Sequence, residues 1–262
     1  MIQQAIILAG GLGTRLRSAV PDLPKCMAPV AGKPFLTYVI DYLRQQGIGQ
    51  FIFALGYKSE DFEELLRAEF PEGPGEGGGG SAGRAGEGEV RADQRTRIPV
   101  CQLSIEAEPL GTGGAIRLAC QKAEPGTVLV LNGDTFFGVR VGELAAFHEK
   151  MNADCTLCLK PMEDFDRYGV VELKPDQGIL HFREKQYYKT GLINGGVYAL
   201  DTVRFLGENL PEKFSFEKDY LERQESGRRL YGLVQNGYFI DIGIPEDYER
   251  AQRELPAASK IY

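Results

Sequence analysis

The sequence predicts an α/β fold with a mixed, mostly parallel central sheet. Two observations lead there. Short apolar runs alternate with amphipathic stretches along the first half of the chain, the rhythm of βα units. The run Val128–Leu131 is brief, wholly apolar and bounded by Gly126 and Asn132, as a strand covered on both faces would be. With 262 residues, 43% hydrophobic and 26% charged, the chain is long enough for a substantial core.

The elements follow in order. Ile2–Ala9 reads as the first strand. Pro34 stands where a helix would begin, Phe35–Gln46 has helical spacing, and Gly47 is its stop. Phe51–Leu55 is a second strand, followed by an acidic helix over Glu60–Phe70. Val100–Ile105 is a third strand, Gly113–Lys122 a helix and Val128–Leu131 a fourth strand. Residues 71–97 break the rhythm: the segment is Gly-rich and polar, has little to bury, and is expected to be a flexible surface insertion. Beyond residue 150 strands dominate, at Ala153–Lys160, Gly169–Leu173, Gly178–Phe182 and Gly195–Leu200. Helices are expected over Thr202–Asn209, Phe216–Ser226 and Pro245–Leu255. No linker or repeat divides the chain, so one domain over 1–262 is expected.

A net charge of −7 argues against nucleic acid as a partner, because phosphate backbones attract basic faces. Five cysteines, an odd number, read as reduced thiols, and no run approaches the ~20 apolar residues of a membrane span. These features predict a soluble, cytoplasmic protein. Cys155 and Cys158 have zinc-knuckle spacing, but no second pair accompanies them and they lie in an alternating strand pattern, so packing is the better reading. His148 and His181 have no Ser or Cys partner motif and are given no catalytic role.

The stretch "LAGGLGTRLRSAVPDLPK", residues 8–25, follows an apolar strand with three glycines and three cations. Clustered glycines let anionic oxygens approach backbone N–H groups. It is not a P-loop, which needs lysine directly after the last glycine, since Gly13 is followed by Thr14 and Arg15. A dinucleotide fingerprint fails too, because position 16 is Leu where the third glycine belongs. Two aspartates also end apolar runs: Asp134 in "LVLNGDTFF" and Asp241 in "YFIDIGIPEDYERA". Asp134 alone could equally cap a turn.

Taken together, "LAGGLGTRLRSAVPDLPKCMAPVAGKP" resembles the opening of the sugar-1-phosphate nucleotidyltransferase family, LAGGxGTRLxPLTxxxPKxxxPV. Arg17-Ser18-Ala19 and Cys26 depart from it without removing a group the chemistry needs. The resemblance implies a three-layer Rossmann-like nucleotide-diphospho-sugar transferase fold. Its nucleotide-binding half would span 1–135 and its sugar-phosphate half 136–262. It implies that Leu8, Ala9, Gly10, Gly11, Gly13 and Thr14 wrap the nucleotide, that Arg15 and Lys25 grip its phosphates, and that Asp134 and Asp241 hold Mg²⁺. In "EAEPLGTGGA", Gly113 and its neighbours would lie against the base. Glu108 accepts hydrogen bonds only and suits the donor edge of guanine, hence GTP. "HFREKQY" resembles the family's E-K-P segment without its proline, giving Glu184 a sugar hydroxyl and Lys185 the sugar phosphate. "LINGGVYAL" would present Asn194 and Gly195 to the ring.

The partners implied are an NTP and a sugar 1-phosphate, and a homo-oligomer is allowed. "LPKCMAPVAGKPFL", "EAEPLGTGGAI" and "FIDIGIPEDYERAQ" resemble in particular the guanylyltransferase branch that uses heptose 1-phosphates. An amino-sugar uridylyltransferase and a non-catalytic sensing homologue are the alternatives. A related glycosyltransferase would more usually show a D-x-D motif, and none stands at the end of an expected strand.

Overall fold

The structure is a computed structural model and describes residues 1–10, 23–56, 62–64, 66, 100–223 and 227–260. Gly11, Gly13, Thr14, Arg15 and the 71–97 insertion lie outside the described residues, as does most of the expected helix 60–70.

β2 (Pro29–Val30) and β3 (Lys33–Pro34) form a separate short ladder, while strands β1 (Gln4–Leu8), β4 (Gln50–Leu55), β5 (Val100–Ile105) and β6 (Thr127–Asn132) form the parallel part of a nine-stranded sheet in the order β5-β4-β1-β6. The sheet continues through β11 (Tyr188–Asp201), antiparallel to β6, to β9 (Val170–Leu173) and β10 (Ile179–Arg183). β8 (Cys155–Phe165) pairs with β11, and β12 (Leu230–Val234) runs parallel to β8.

The three layers follow from side-chain alternation. Ala5 and Ile7, Phe51 and Phe53, and Leu129 and Leu131 face one core, with α1 (Phe35–Gln45) and α5 (Pro245–Ala258). Ile6, Ile52, Val128 and Val130 face the other. There they meet α2 (Gly111–Cys120), α4 (Thr202–Gly207) and the aromatic group Phe205, Phe214, Phe216 and Tyr220. Both faces of β1, β4 and β6 are therefore covered, which explains runs as apolar as Ala5-Ile6-Ile7. A further helix, α3 (Val141–Lys150), carries His148.

Several expected elements differ in extent. β11 begins seven residues before the expected Gly195, because its first half is partly exposed and reads as polar. β12 is not among the expected strands; Gly232 breaks its apolar pattern in the sequence, and a Cβ there would press on Leu159 and Leu173. The helix expected over Phe216–Ser226 is a π-helical turn, Phe216–Leu221. All five cysteines are free and buried, and burial pushes the thiols of Cys155 and Cys158 far up, as suits packing. Among the described residues no helix is long and apolar enough to cross a membrane.

Candidate active site

The site forms at the carboxyl ends of the central strands, where open α/β sheets hold ligands. β1 ends at Leu8, and Gly133 N donates to Leu8 O at 2.9 Å. A Cβ on Gly133 would lie 2.8 Å from that oxygen, so only glycine lets the turn after β6 close onto β1. This turn carries Asp134. Gly10 is constrained similarly, since its Cβ would meet Gly56 N at 2.7 Å. Lys25 opens a short 3-10 turn, Lys25–Met27, and its Nζ donates to Asp134 Oδ2 at 3.2 Å. Cys26 beside it is buried; burial and then the Asp134 charge push its thiol up to about 12.

Asp241 reaches the same place from the other end of the chain. β13 (Phe239–Asp241) pairs antiparallel with β7 (Thr135–Phe137), setting Asp241 opposite Thr135. Ile242 N donates to Asp134 O at 3.1 Å. One two-stranded ladder thus brings the two aspartates together. Gly243 N donates to Asp241 Oδ1 at 2.7 Å, and Tyr168 Oη donates to Oδ2 at 3.4 Å. Burial, then the Asp134 charge, hold the Asp241 carboxyl above the usual carboxylate range, against Gly243, Arg167 and Lys25.

Around these groups lies a cleft in two lobes that share Asn132. The first, about 370 Å³, is lined by Leu8, Ala9, Gly10, Lys25, Asp134 and Glu106, with the first turn of α2. The second, about 480 Å³, is lined by Glu184, Lys185, Asn194, Gly195 and Asp241, together with Tyr168, Glu217 and Lys218. Thr112 Oγ1 donates to Glu217 Oε2 at 2.7 Å, tying the wall of one lobe to that of the other. A larger cavity, about 610 Å³, opens at the amino ends of the strands beside Gln4, Gln50 and Thr127. It contains none of the expected site residues, and the sheet's geometry favours the smaller cleft.

Two of the expected residues have surroundings that the sequence reading did not foresee. Gly113 is buried and lines neither lobe: its N–H donates to Phe214 O at 3.0 Å, and a Cβ would enter the Phe214 ring. Its need for glycine comes from packing. Glu108 is exposed and outside the lining of the first lobe, whereas Glu106 lines it and accepts from Leu110 N at 3.1 Å. Asn194 lines the second lobe with both amide atoms engaged, Nδ2 donating to Tyr198 Oη at 2.9 Å and Oδ1 accepting from Gly196 N at 3.1 Å. The strand is bulged there, and Gly196 adopts a φ of +68°. Sequence reasoning missed Glu106, Asn132, Tyr168 and Arg167. Only Asn132 offered a signal, as the polar end of an apolar strand.

The donor set fits a hard divalent cation. Asp134 and Asp241 are two carboxylates close enough for one to raise the other's proton affinity. Among the described residues no group of three or more His, Cys, Asp or Glu competes. Magnesium needs only one or two carboxylates, with water and phosphate oxygens completing its octahedron.

Comparison with known proteins agrees with this geometry. The chain is 45% identical over 252 residues to a D-glycero-alpha-D-manno-heptose 1-phosphate guanylyltransferase from Aneurinibacillus thermoaerophilus, covering 96% of this chain and 98% of that one. It is 42% identical over 245 residues to the enzyme of the same name from Campylobacter jejuni, covering 94% and 96%. A crystal structure of HddC from Yersinia pseudotuberculosis complexed with GMP-PN superposes with a TM-score of 0.77 at 33% identity, covering 96% of this chain and 98% of that one. The nucleotidyl transferase family model matches residues 4–258, which takes in β1 and both aspartate-bearing strand ends. With its lysine and paired aspartates at the carboxyl edge of a doubly covered parallel sheet, the chain belongs to the nucleotidyl transferase family.

Proposed function

We propose that this protein transfers the guanylyl group of GTP to a heptose 1-phosphate, of the D-glycero-D-manno configuration, releasing pyrophosphate and forming the GDP-sugar. The single observation that carries the reading is the convergence of Lys25, Asp134 and Asp241 where the two lobes of one cleft meet. The names of the two full-length relatives support the choice of nucleotide and sugar.

GTP occupies the first lobe in this reading, its phosphates toward Lys25, Gly10 and the amino end of α2, where the helix dipole favours negative charge. Arg15, Gly11, Gly13 and Thr14 join this grip by family resemblance. Glu108 reads the guanine edge from the rim. The sugar phosphate enters the second lobe, its phosphate on Lys185 and its hydroxyls toward Glu184 and Asn194.

A phosphomonoester's second pKa is near ~6, so the attacking oxygen is already ionised at neutral pH. It attacks the α-phosphorus in line; the new O–P bond forms as the bond to the β-phosphate oxygen breaks, and no protein base takes a proton. Two polyanions must approach each other, and Lys25 and Lys185 offset their repulsion from opposite lobes. Asp134 and Asp241 would hold Mg²⁺, which when bound supplies positive charge to the phosphate oxygens.

The test is pyrophosphate release from GTP, UTP, dTTP, CTP and ATP, each with a panel of sugar 1-phosphates that includes heptose and hexose epimers. GTP with the heptose is expected to be fastest. A preference for UTP would overturn the guanine assignment, and equal rates with a hexose would overturn the heptose assignment.

A further inference from the structure

Arg167 stands between two carboxylates. Its Nη1 donates to Asp247 Oδ2 in a close ion pair, while its Nη2 lies 3.7 Å from Asp241 Oδ2, beyond hydrogen-bond reach. Asp247 is only 9% exposed and takes a second cation, Arg250 Nη1, on Oδ1 at 3.2 Å. It also sits in the first turn of α5, where the dipole favours its charge. Two arginines therefore hold the Asp247 carboxylate, and it holds the Arg167 guanidinium by its Nη1 edge. Next to Arg167, Tyr168 donates to the same Asp241 oxygen and packs against Phe239 of β13.

A free arginine at this position would close onto Asp241. Bidentate guanidinium–carboxylate pairing is strong and would occupy the oxygens a metal ion needs. We propose that Asp247 is a positioning residue that restrains Arg167 and so keeps Asp241 open as a cation ligand. This rests on the assignment of Asp241 to the metal. It explains why a carboxylate in the first turn of α5 is buried and doubly paired, when a helix-dipole role alone would leave it at the surface. Partners of a ligating carboxylate commonly tune metal affinity about 10- to 100-fold.

The experiment measures binding of Mn²⁺, as a probe for the site, by electron paramagnetic resonance in the presence of a non-hydrolysable GTP analogue. Asp247→Asn keeps the shape but releases Arg167, and Mn²⁺ should bind about tenfold more weakly. Adding Arg167→Gln to that variant should restore binding to near the wild-type level. Arg167→Gln alone should bind Mn²⁺ at least as tightly as the wild type, so the proposal stays testable even if Asp247→Asn fails to fold. Unchanged binding in Asp247→Asn, no restoration in the double variant, or weaker binding in Arg167→Gln would each overturn it. Asp241→Asn is the control for the assignment beneath it. If that change leaves Mn²⁺ binding intact, the metal assignment has failed; if it abolishes binding while the Asp247 series is flat, only the restraint has.

Discussion

Lys25 and Asp134, 109 positions apart in the chain, meet at 3.2 Å on the floor of the cleft. Both side chains keep some exposure, 15% and 33%, so the pair itself stabilises the fold by no more than about 1 kcal/mol. In the reaction proposed above its weight is in catalysis. Lys25→Ala and Asp134→Asn should each lower kcat about 10²- to 10³-fold, the usual loss for a preorganised electrostatic group. Melting temperatures should stay within a few degrees of the wild type. Near-normal turnover in either variant, measured by pyrophosphate release, would remove these residues from the mechanism.

Asp241 should show the opposite balance. It is half-buried beside Asp134, and that burial, then the Asp134 charge, both oppose its ionisation. Asp241→Asn keeps an oxygen for Gly243 N–H and removes the like-charge repulsion. The variant should therefore melt at a higher temperature than the wild type when metal is withheld, while losing most activity. Active-site groups commonly trade stability for function in this way. Differential scanning calorimetry in EDTA reads the stability half of the prediction; a lowered Tm would contradict it.

Much of this site was legible because it rests on strand ends. An apolar run that stops at Asp, as in Leu131-Asn132-Gly133-Asp134 or Phe239-Ile240-Asp241, places a carboxylate at the sheet's edge whatever the rest of the fold does. The pairing of those two ends came only from the family resemblance, not from any local pattern. It depends on the short ladder between β7 and β13, three residues each, whose register no local pattern encodes. Arg167 was invisible for the same reason, since its partners Asp241 and Asp247 lie 74 and 80 positions away. The polar first half of β11 and the glycine-bearing β12 escape the sequence pattern because neighbouring strands, rather than their own propensity, hold them extended.

The glycines within the helices separate into two kinds. Gly113→Ala would drive a methyl into the buried Phe214 ring, costing about 1–3 kcal/mol of stability by overpacking. Gly142, in the first turn of α3, has nothing within 4 Å of an added Cβ. Gly142→Ala should stabilise the protein by about 0.5–1 kcal/mol through helix propensity. Urea unfolding of the two variants tests this; equal effects would mean that the Phe214 contact does not set the requirement for glycine.

Nucleotide choice separates the two acidic residues before α2. Glu106 is tied to Leu110 N and lines the lobe, while Glu108 is exposed outside that lining. If Glu108 reads guanine, Glu108→Gln should lower kcat/KM for GTP relative to UTP by about tenfold, the worth of one hydrogen bond to a charged group. Glu106→Gln should instead weaken all five nucleotides alike, by loosening the loop that enters α2. A GTP-selective loss in Glu106→Gln, with Glu108→Gln unchanged, would move the base contact to Glu106.

His148 makes the fold sensitive to acid. It is 4% exposed on α3, with Nδ1 at 3.0 Å from Thr156 Oγ1. Burial lowers its pKa to about 4, assisted by Arg204 and opposed by Asp201 and Asp154. The unfolded chain takes up a proton near the ordinary imidazole value, about 6.5, while the folded protein resists it. The stability is therefore fully present above pH ~6.5 and is lost progressively as pH falls toward 4, because the unfolded state binds the extra proton. Between pH 7.5 and 5 the loss from this one group is on the order of 2 kcal/mol. Paired carboxylates such as Asp154 lose stability at lower pH, so the comparison that isolates His148 is wild type against His148→Gln over the same interval. The variant's urea midpoint should fall less between pH 7.5 and 5 than that of the wild type. Parallel declines would show that His148 titrates normally in the folded protein.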